Sequence, residues 1–362
     1  MAHTHARRPD AGMSEAIRRR GEDIPLQEKI EAMRRPETYP ELPTRIEAIE
    51  THMAWVFLTD RHAYKLKKPV RYPYLDFATL TARHQDSERE VRLNRRLAPD
   101  VYLGVEPLAL SHGGLRVGRE GVAIEWLVKM RRLPRERMLD RAIETGTVGV
   151  SDAKRLGQLL TRFYRQAARV EMAPETYRSR IADDIGVNRD ELLRPAYGLP
   201  ANSIRRIAAT LLRTLRSHPG WFDERVTRNL VVEAHGDLRP EHICLLSPPV
   251  IIDCLEFNRD FRLLDPADEL AFLALECERL GAPWVGRVVL EVYTGMNSDR
   301  PPAHLIAFFK AHRASLRAKI AALHLSDAEV AEPDKWVERA SEYLRLAEGY
   351  AARLEPRRDH GG

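Results

Sequence analysis

The chain has 362 residues and a mass of 41.5 kDa; 44% of it is hydrophobic, 31% is charged, and the formal net charge is +5. That length suits one large two-lobed domain or two ordinary ones, which excludes a peptide-sized module, and the composition excludes a largely disordered chain. The basic excess is small, spread along the sequence and without a nucleic-acid-reading motif, so nucleic acid is not an expected partner. No apolar segment follows the arginine-rich start (Arg7, Arg8, Arg18, Arg19, Arg20), so neither a secretory signal nor a membrane anchor is expected. Cys244, Cys254 and Cys277 lie beside or within apolar runs without CxxC spacing and read as small core residues of a reduced, cytoplasmic protein.

In chain order, residues 1–24 are polar and lack periodicity, which predicts a mobile tail. Residues 25–44 hold a short helix, Leu26 to Met33, ended by Pro36, and a proline-rich linker. From residue 45 the pattern turns to strands: Ile46 to Ile49, Trp55 to Leu58, and Ala63 to Lys68 after a turn at Asp60-Arg61-His62. Ala63 and Lys65 share one face of their strand, the arrangement of an ATP-binding lysine strand, in which a small residue leaves room for adenine and an ammonium reaches the phosphates. Lys67 shares that face and is the alternative phosphate ligand; for both, a solvated surface lysine is the ordinary alternative.

Asp76 to Thr79 caps a long helix that ends before Pro99. Glu90, Leu93 and Leu97 fall on one face of it, whereas Glu88 falls with Val91 and Arg95, so Glu90 is the candidate to pair with the strand lysine. Strands resume over Leu103 to Leu110, Leu115 to Val117 and Val122 to Met130, with a turn at Ser111-His112-Gly113-Gly114. The segment from Val128 to Pro134 leaves the sheet where adenine would be met, with Met130 the candidate contact and core packing its alternative.

The remainder reads as helical apart from one acidic stretch. Ser151 caps a helix with a Leu156, Leu159, Leu160, Phe163 stripe; Ile204 to Leu215 forms another; residues 181–197 read as an irregular polar connection, with a substrate cleft lined by Asp183, Asp184, Asn188 and Arg189 as the alternative; and helices follow over Leu270 to Leu280, Leu305 to Leu325 and Trp336 to Leu354. The acidic stretch reads His235-Gly236-Asp237-Leu238-Arg239-Pro240-Glu241-His242, then Asp253, then Asp265-Pro266-Ala267-Asp268. Asp237 and Asp253 each follow an apolar run, which suits a base and a metal ligand for phosphoryl transfer. Asp265 and Asp268 read as helix caps. Neither a Walker A loop nor a Rossmann fingerprint is present.

The acidic stretch, with Thr51 to Leu58 and Tyr64-Lys65-Leu66-Lys67-Lys68-Pro69, resembles the aminoglycoside phosphotransferase-like kinases, and most closely a poorly characterised bacterial branch of them; the resemblance covers about residues 45 to 325. It implies an α+β, protein-kinase-like two-lobed fold: a small antiparallel sheet lobe over 45–128 and a larger, mostly helical lobe over 129–354, before a tail at 355–362. It further implies ATP-dependent phosphorylation of a small-molecule hydroxyl. Asp237 would be the catalytic base, Asp253 would hold Mg2+ or Mn2+, Lys65 the phosphates, Glu90 the lysine, and His235 would buttress the loop. His242 stands where the family carries a metal-binding asparagine, and imidazole suits manganese better than magnesium; Glu241 or Glu256 is then an alternative ligand. The second departure is a turn between the first strands with no glycine. A catalytically weak nucleotide-binding pseudokinase and a His/Asp metal hydrolase are the alternative readings. The basic helix of Lys310, Arg313 and Arg317 points toward an anionic acceptor, with a solvated face as the alternative.

Overall fold

The computed structural model describes residues 24–72, 75–111, 113–118, 120–326 and 332–355, and the expected tails, save residues 24 and 355, lie outside them. Two compact units emerge. The first is formed by the described residues up to Arg135 together with Val250–Asn258, and the second by Glu136–Pro249 with the described residues from Arg259 on.

In the first unit, helix α1 (Leu26–Met33) precedes strands β1 (Glu47–Glu50), β2 (Ala54–Leu58) and β3 (His62–Lys67). Helix α2 (Leu80–Asn94) follows, and then strands β4 (Tyr102–Ser111), β5 (Gly114–Val117) and β6 (Val122–Arg131). All six strands form one sheet in the order β1-β2-β3-β6-β4-β5, and every pairing is antiparallel. Alternation along β3 divides its side chains. Tyr64 and Leu66 join Phe57, Leu108 and Leu127 in a core that Ile30 and Met33 of α1 close, which leaves Ala63, Lys65 and Lys67 on the opposite face. The turn between β1 and β2 does without glycine because Thr51 closes it: its hydroxyl accepts from the Ala54 amide at 3.0 Å and donates to the Ala54 carbonyl at 2.8 Å.

Helix α2 begins at Thr79, whose hydroxyl caps the Ala82 amide at 3.1 Å. Residues 250–258, expected with the helical part, belong to the sheet unit because backbone bonds fasten them there. The amides of Ile251, Asp253 and Cys254 donate to the Leu97 carbonyl, the Tyr102 hydroxyl and Asn94 Oδ1 at 3.3, 3.1 and 2.8 Å.

The second unit is helical. It comprises α3 (Leu139–Glu144), α4 (Val150–Gln166), α5 (Pro174–Leu192), α6 (Ala201–Ser217), α7 (Gly220–Thr227), α8 (Pro266–Arg279), α9 (Pro283–Met296), α10 (Ala303–Leu323) and α11 (Pro333–Ala352). A two-stranded ladder pairs β7 (Val232–Glu233) with β8 (Leu263–Leu264). The short helices α3 and α7 were not singled out in the sequence, and two longer segments also differ from its reading. The connection expected over 181–197 is mostly helix α5, whose buried Tyr177, Ile181, Ile185 and Leu192 form a stripe too narrow and too interleaved with charge to stand out. Helix α9 went unrecognised, because its run of valines has strand propensity that burial of Val285, Val289 and Tyr293 overrides. Among the described residues no helix is long and apolar enough to cross a membrane.

Candidate functional site

The sheet unit gathers a lysine–carboxylate cluster on the face of β3 that α2 covers. Lys65 Nζ lies 2.9 Å from Glu90 Oε1 and 2.9 Å from Asp253 Oδ1. Three of the residues singled out from sequence therefore meet at one ammonium. Glu90 is fully buried, as its place on the inner stripe of α2 requires, while the Asp253 side chain is 45% exposed and so open to a ligand. Burial alone would lower the Lys65 pKa, but the Asp253, Glu90 and Glu256 carboxylates outweigh it and hold the ammonium well above its ordinary range. Burial also pushes the Glu90 carboxyl up, and Lys65 and Lys67 offset part of that rise.

Asp253 has a left-handed backbone, φ 61°, immediately after Val250–Ile251 and Ile252. Such a conformation is strained for most residues other than glycine and tolerated by aspartate, and it occurs preferentially at functional sites. Met130 lies within β6, paired with Ala63 of β3 and Tyr102 of β4, since the strand runs on to Arg131 before the chain leaves the sheet.

The second cluster lies in the helical unit, on the loop after β7. Its brace is Glu269 in the first turn of α8, wholly buried, which accepts from the amides of His235 at 3.0 Å and Gly236 at 2.6 Å and from the Tyr164 hydroxyl at 2.8 Å. Gly236 is required where it stands, because φ is 93° there. The loop then presents Asp237, one of whose oxygens accepts from Arg239 Nε at 2.9 Å. Arg239 also donates to Glu241 at 2.9 Å and approaches His242 Nε2 at 3.1 Å.

A guanidinium only donates, so His242 Nε2 is the acceptor and Nδ1 carries the proton, which it gives to the Asp237 carbonyl at 2.9 Å. The ring therefore has no lone pair left for a metal while Arg239 stands there. Glu256 is likewise committed, to Lys67. Of the residues considered for metal, Asp253 has the exposed carboxylate a hard cation needs, and Glu241 keeps a buried Oε2 with no hydrogen-bond partner. Among the described residues no group of three or more His, Cys, Asp or Glu is arranged to hold a metal by itself.

With this geometry, comparison with known proteins is informative. No family model matches the chain. Uncharacterized proteins of Mycobacterium tuberculosis and Mycobacterium bovis are 33% identical to it over 291 residues, 78% of this chain and 56% of theirs. The chain thus spans about half the length of the curated relatives it matches. Among solved structures, a choline/ethanolamine kinase family protein from Mesorhizobium loti superposes with a TM-score of 0.54 at 15% identity, covering 90% of this chain and 98% of the other. The fold is protein-kinase-like. Its small antiparallel sheet with one helix after the third strand, and its larger helical part, are those expected from the sequence.

Within the protein-kinase-like fold, sequence reasoning missed several residues that build the two clusters. Asp86 lies one turn before Glu90 on α2 and could have been found by that spacing. Tyr102 and Asn94, which anchor the Asp253 strand, carry no sequence signal. Glu269 follows Asp268 directly in the first turn of α8, but the two neighbouring aspartates drew attention from it. The cations that suggested an anionic acceptor are spent internally. Arg313 holds Asp268 through two bonds of 2.7 and 2.6 Å, Lys310 holds Glu278 at 3.0 Å, and Arg317 lies against the Tyr343 ring. A groove of about 600 Å3 between α5 and α6, lined by Arg189, Arg205, Arg213 and Arg216, includes Arg189 of the 181–197 segment but none of Lys65, Glu90, Met130, Asp237, His242 and Asp253.

Proposed function

We propose that the protein is an ATP-dependent phosphotransferase acting on a hydroxyl of a small molecule. The observation that carries this reading is the meeting of Lys65, Glu90 and Asp253 within a protein-kinase-like fold. There a glutamate-held ammonium serves the nucleotide phosphates, and an exposed carboxylate serves the cation bridging them. Magnesium keeps several waters and needs only one or two carboxylates besides the phosphates, so Asp253 fits it without a dedicated cage; bound, the ion would neutralise charge on the transferring phosphoryl group. In this reading Asp237 takes the acceptor's proton, with its loop set by Glu269 and one of its oxygens held by Arg239. His242 positions the loop through the Asp237 carbonyl. The charge of the acceptor is left open, since the basic helix no longer argues for an anion. Three buried cysteines, none of them in a disulfide, suit a reducing compartment such as the cytoplasm.

The test is a small-molecule panel assayed for ATP consumption with magnesium and with manganese, in wild type and in Asp237→Asn. Loss of the base should lower turnover by about 10²–10⁴-fold while nucleotide affinity stays within a few fold. Unchanged turnover in Asp237→Asn would refute the assignment of the base. Nucleotide binding without turnover across the panel would favour a pseudokinase.

A further inference from the structure

The second lysine of the inner face of β3 has no part in the chemistry proposed above, yet it is the more deeply buried of the two. The Lys67 side chain is 1% exposed, against 16% for Lys65. Its Nζ lies 2.7 Å from Asp86 Oδ2 and 2.7 Å from Glu90 Oε2, and it contacts Glu256 as well. Three carboxylates from two segments, α2 and the chain after Asp253, therefore close around one ammonium. Lys67 donates to Asp86 and Glu256, and an ammonium this enclosed is out of a phosphate's reach.

The consequence falls on Glu90. Lys65 donates a hydrogen bond to its Oε1 at 2.9 Å, while the Lys67 ammonium lies 2.7 Å from its Oε2 as an ion pair without hydrogen-bond alignment, so each carboxylate oxygen faces a cation from residues two apart on one strand. A carboxylate gripped at one oxygen can turn or swing away with its helix, whereas one gripped at both has a single orientation. A buried ionic cluster is weak support for stability, since its desolvation roughly cancels its attraction, so what this one can supply is geometry. Helix α2 has a separate anchor one turn earlier. Arg83 forms two bonds of 2.9 and 2.8 Å with Glu125 of β6, and Lys29 of α1 reaches the same carboxylate at 2.9 Å.

We propose that Lys67 is a positioning residue: it fixes the Glu90 carboxylate and the inner face of α2, so that the Lys65–Glu90 pair stands assembled before nucleotide binds. This rests on the nucleotide-binding reading of Lys65. Part of the experiment therefore needs no nucleotide.

Hydrogen exchange of the α2 amides is measured on the nucleotide-free full chain for wild type, Lys67→Met and Lys65→Met, and MgATP affinity is titrated calorimetrically as a function of pH. Lys67→Met should accelerate exchange over residues 86–94 by about tenfold or more, since it leaves the buried Asp86 and Glu90 carboxylates on α2 short of their cation and local opening relieves them. Lys65→Met leaves Asp86 and Glu90 on Lys67 and should change that exchange far less. The charged groups around Glu90 are Lys65, Lys67, Asp253, Glu256 and, through Lys67, Asp86 and its partner Arg89. Removing Lys67 leaves a buried carboxylate with one cation, which favours its protonated form and deprives Lys65 of its anion. MgATP affinity of Lys67→Met relative to wild type should therefore fall further as pH drops from about 8 to about 6.

Exchange within about twofold of wild type overturns the proposal, and so does an affinity loss that is the same at every pH, because general loosening of the fold would produce that. If exchange accelerates as expected but wild type binds no MgATP, the nucleotide reading fails while the fixing of α2 by Lys67 is supported. Should Lys67→Met not fold, Lys67→Met/Glu256→Gln removes the cation together with one of its carboxylates and is expected to show the same acceleration, since neither change returns a cation to Glu90.

Discussion

Replacing Glu269 by alanine should remove the brace of the loop after β7. The carboxylate is wholly buried and accepts from the His235 amide, the Gly236 amide and the Tyr164 hydroxyl. Truncation leaves three buried donors without an acceptor, each costing about 1–3 kcal/mol. Against that stands relief of a buried charge, since burial holds the Glu269 carboxyl above its ordinary 4.5 even though the Gly236, Tyr164 and His235 bonds pull it down. A net loss of about 3–5 kcal/mol follows, a large share of the stability of an ordinary domain. Glutamine keeps an oxygen for the two amides, and the Tyr164 hydroxyl can turn to accept from its NH2, so Glu269→Gln should cost about 1 kcal/mol or less near neutral pH.

The sign of the pH dependence follows from the raised pKa. The stabilisation tied to the Glu269 proton is fully present below 4.5 and is lost as pH rises through the folded value, so the glutamine variant should gain on wild type over that interval. Urea denaturation of both variants across this range is the assay. An alanine variant within about 1 kcal/mol of wild type, or a glutamine variant as damaged as the alanine one, would refute the reasoning.

Two further outcomes concern the helical unit. A Cβ on Gly286 of α9 would stand 2.5 Å from Ala274 of α8, so Gly286→Ala should destabilise by about 1–3 kcal/mol despite a helix-propensity gain of about 1 kcal/mol; Gly295→Ala on the same helix, with nothing within 4 Å, should stabilise, and thermal melts distinguish the two. Asp299 is buried, which would raise its pKa, but Arg225 and Tyr293 hold it below 3.8, so its contribution is present above 3.8 and lost as pH falls through the folded value. Asp299→Asn should therefore cost about 3 kcal/mol at neutral pH and progressively less in acid, and denaturation midpoints that run parallel to wild type across pH would contradict this.

How far the sequence carries depends on what periodicity encodes. Alternation over short segments places strands β1 to β6 within a residue or two, puts Lys65 and Lys67 on one face, and the 3.6-residue period turns Glu90 rather than the exposed Glu88 toward them. Period gives the face of an element and not the depth at which each side chain ends. Lys65 and Lys67 are equivalent by alternation, and only the approach of Asp86 and Glu256 separates a reachable ammonium from an enclosed one. Helices α5 and α9 escaped for the converse reason, since packing partners distant in sequence override a weak local pattern.

The same limit governs the loop after β7. His242 in place of an asparagine reads from sequence as a defective metal ligand. In the structure its two nitrogens are a donor to the Asp237 carbonyl and an acceptor from Arg239, whose guanidinium also spans Asp237 and Glu241. The two side chains therefore act as one device: His242 orients Arg239, and Arg239 holds one oxygen of the carboxylate proposed as the base. In the proposed reaction the acceptor hydroxyl competes with that guanidinium for Asp237, and a phosphate anion arriving at the loop would help to draw the guanidinium away.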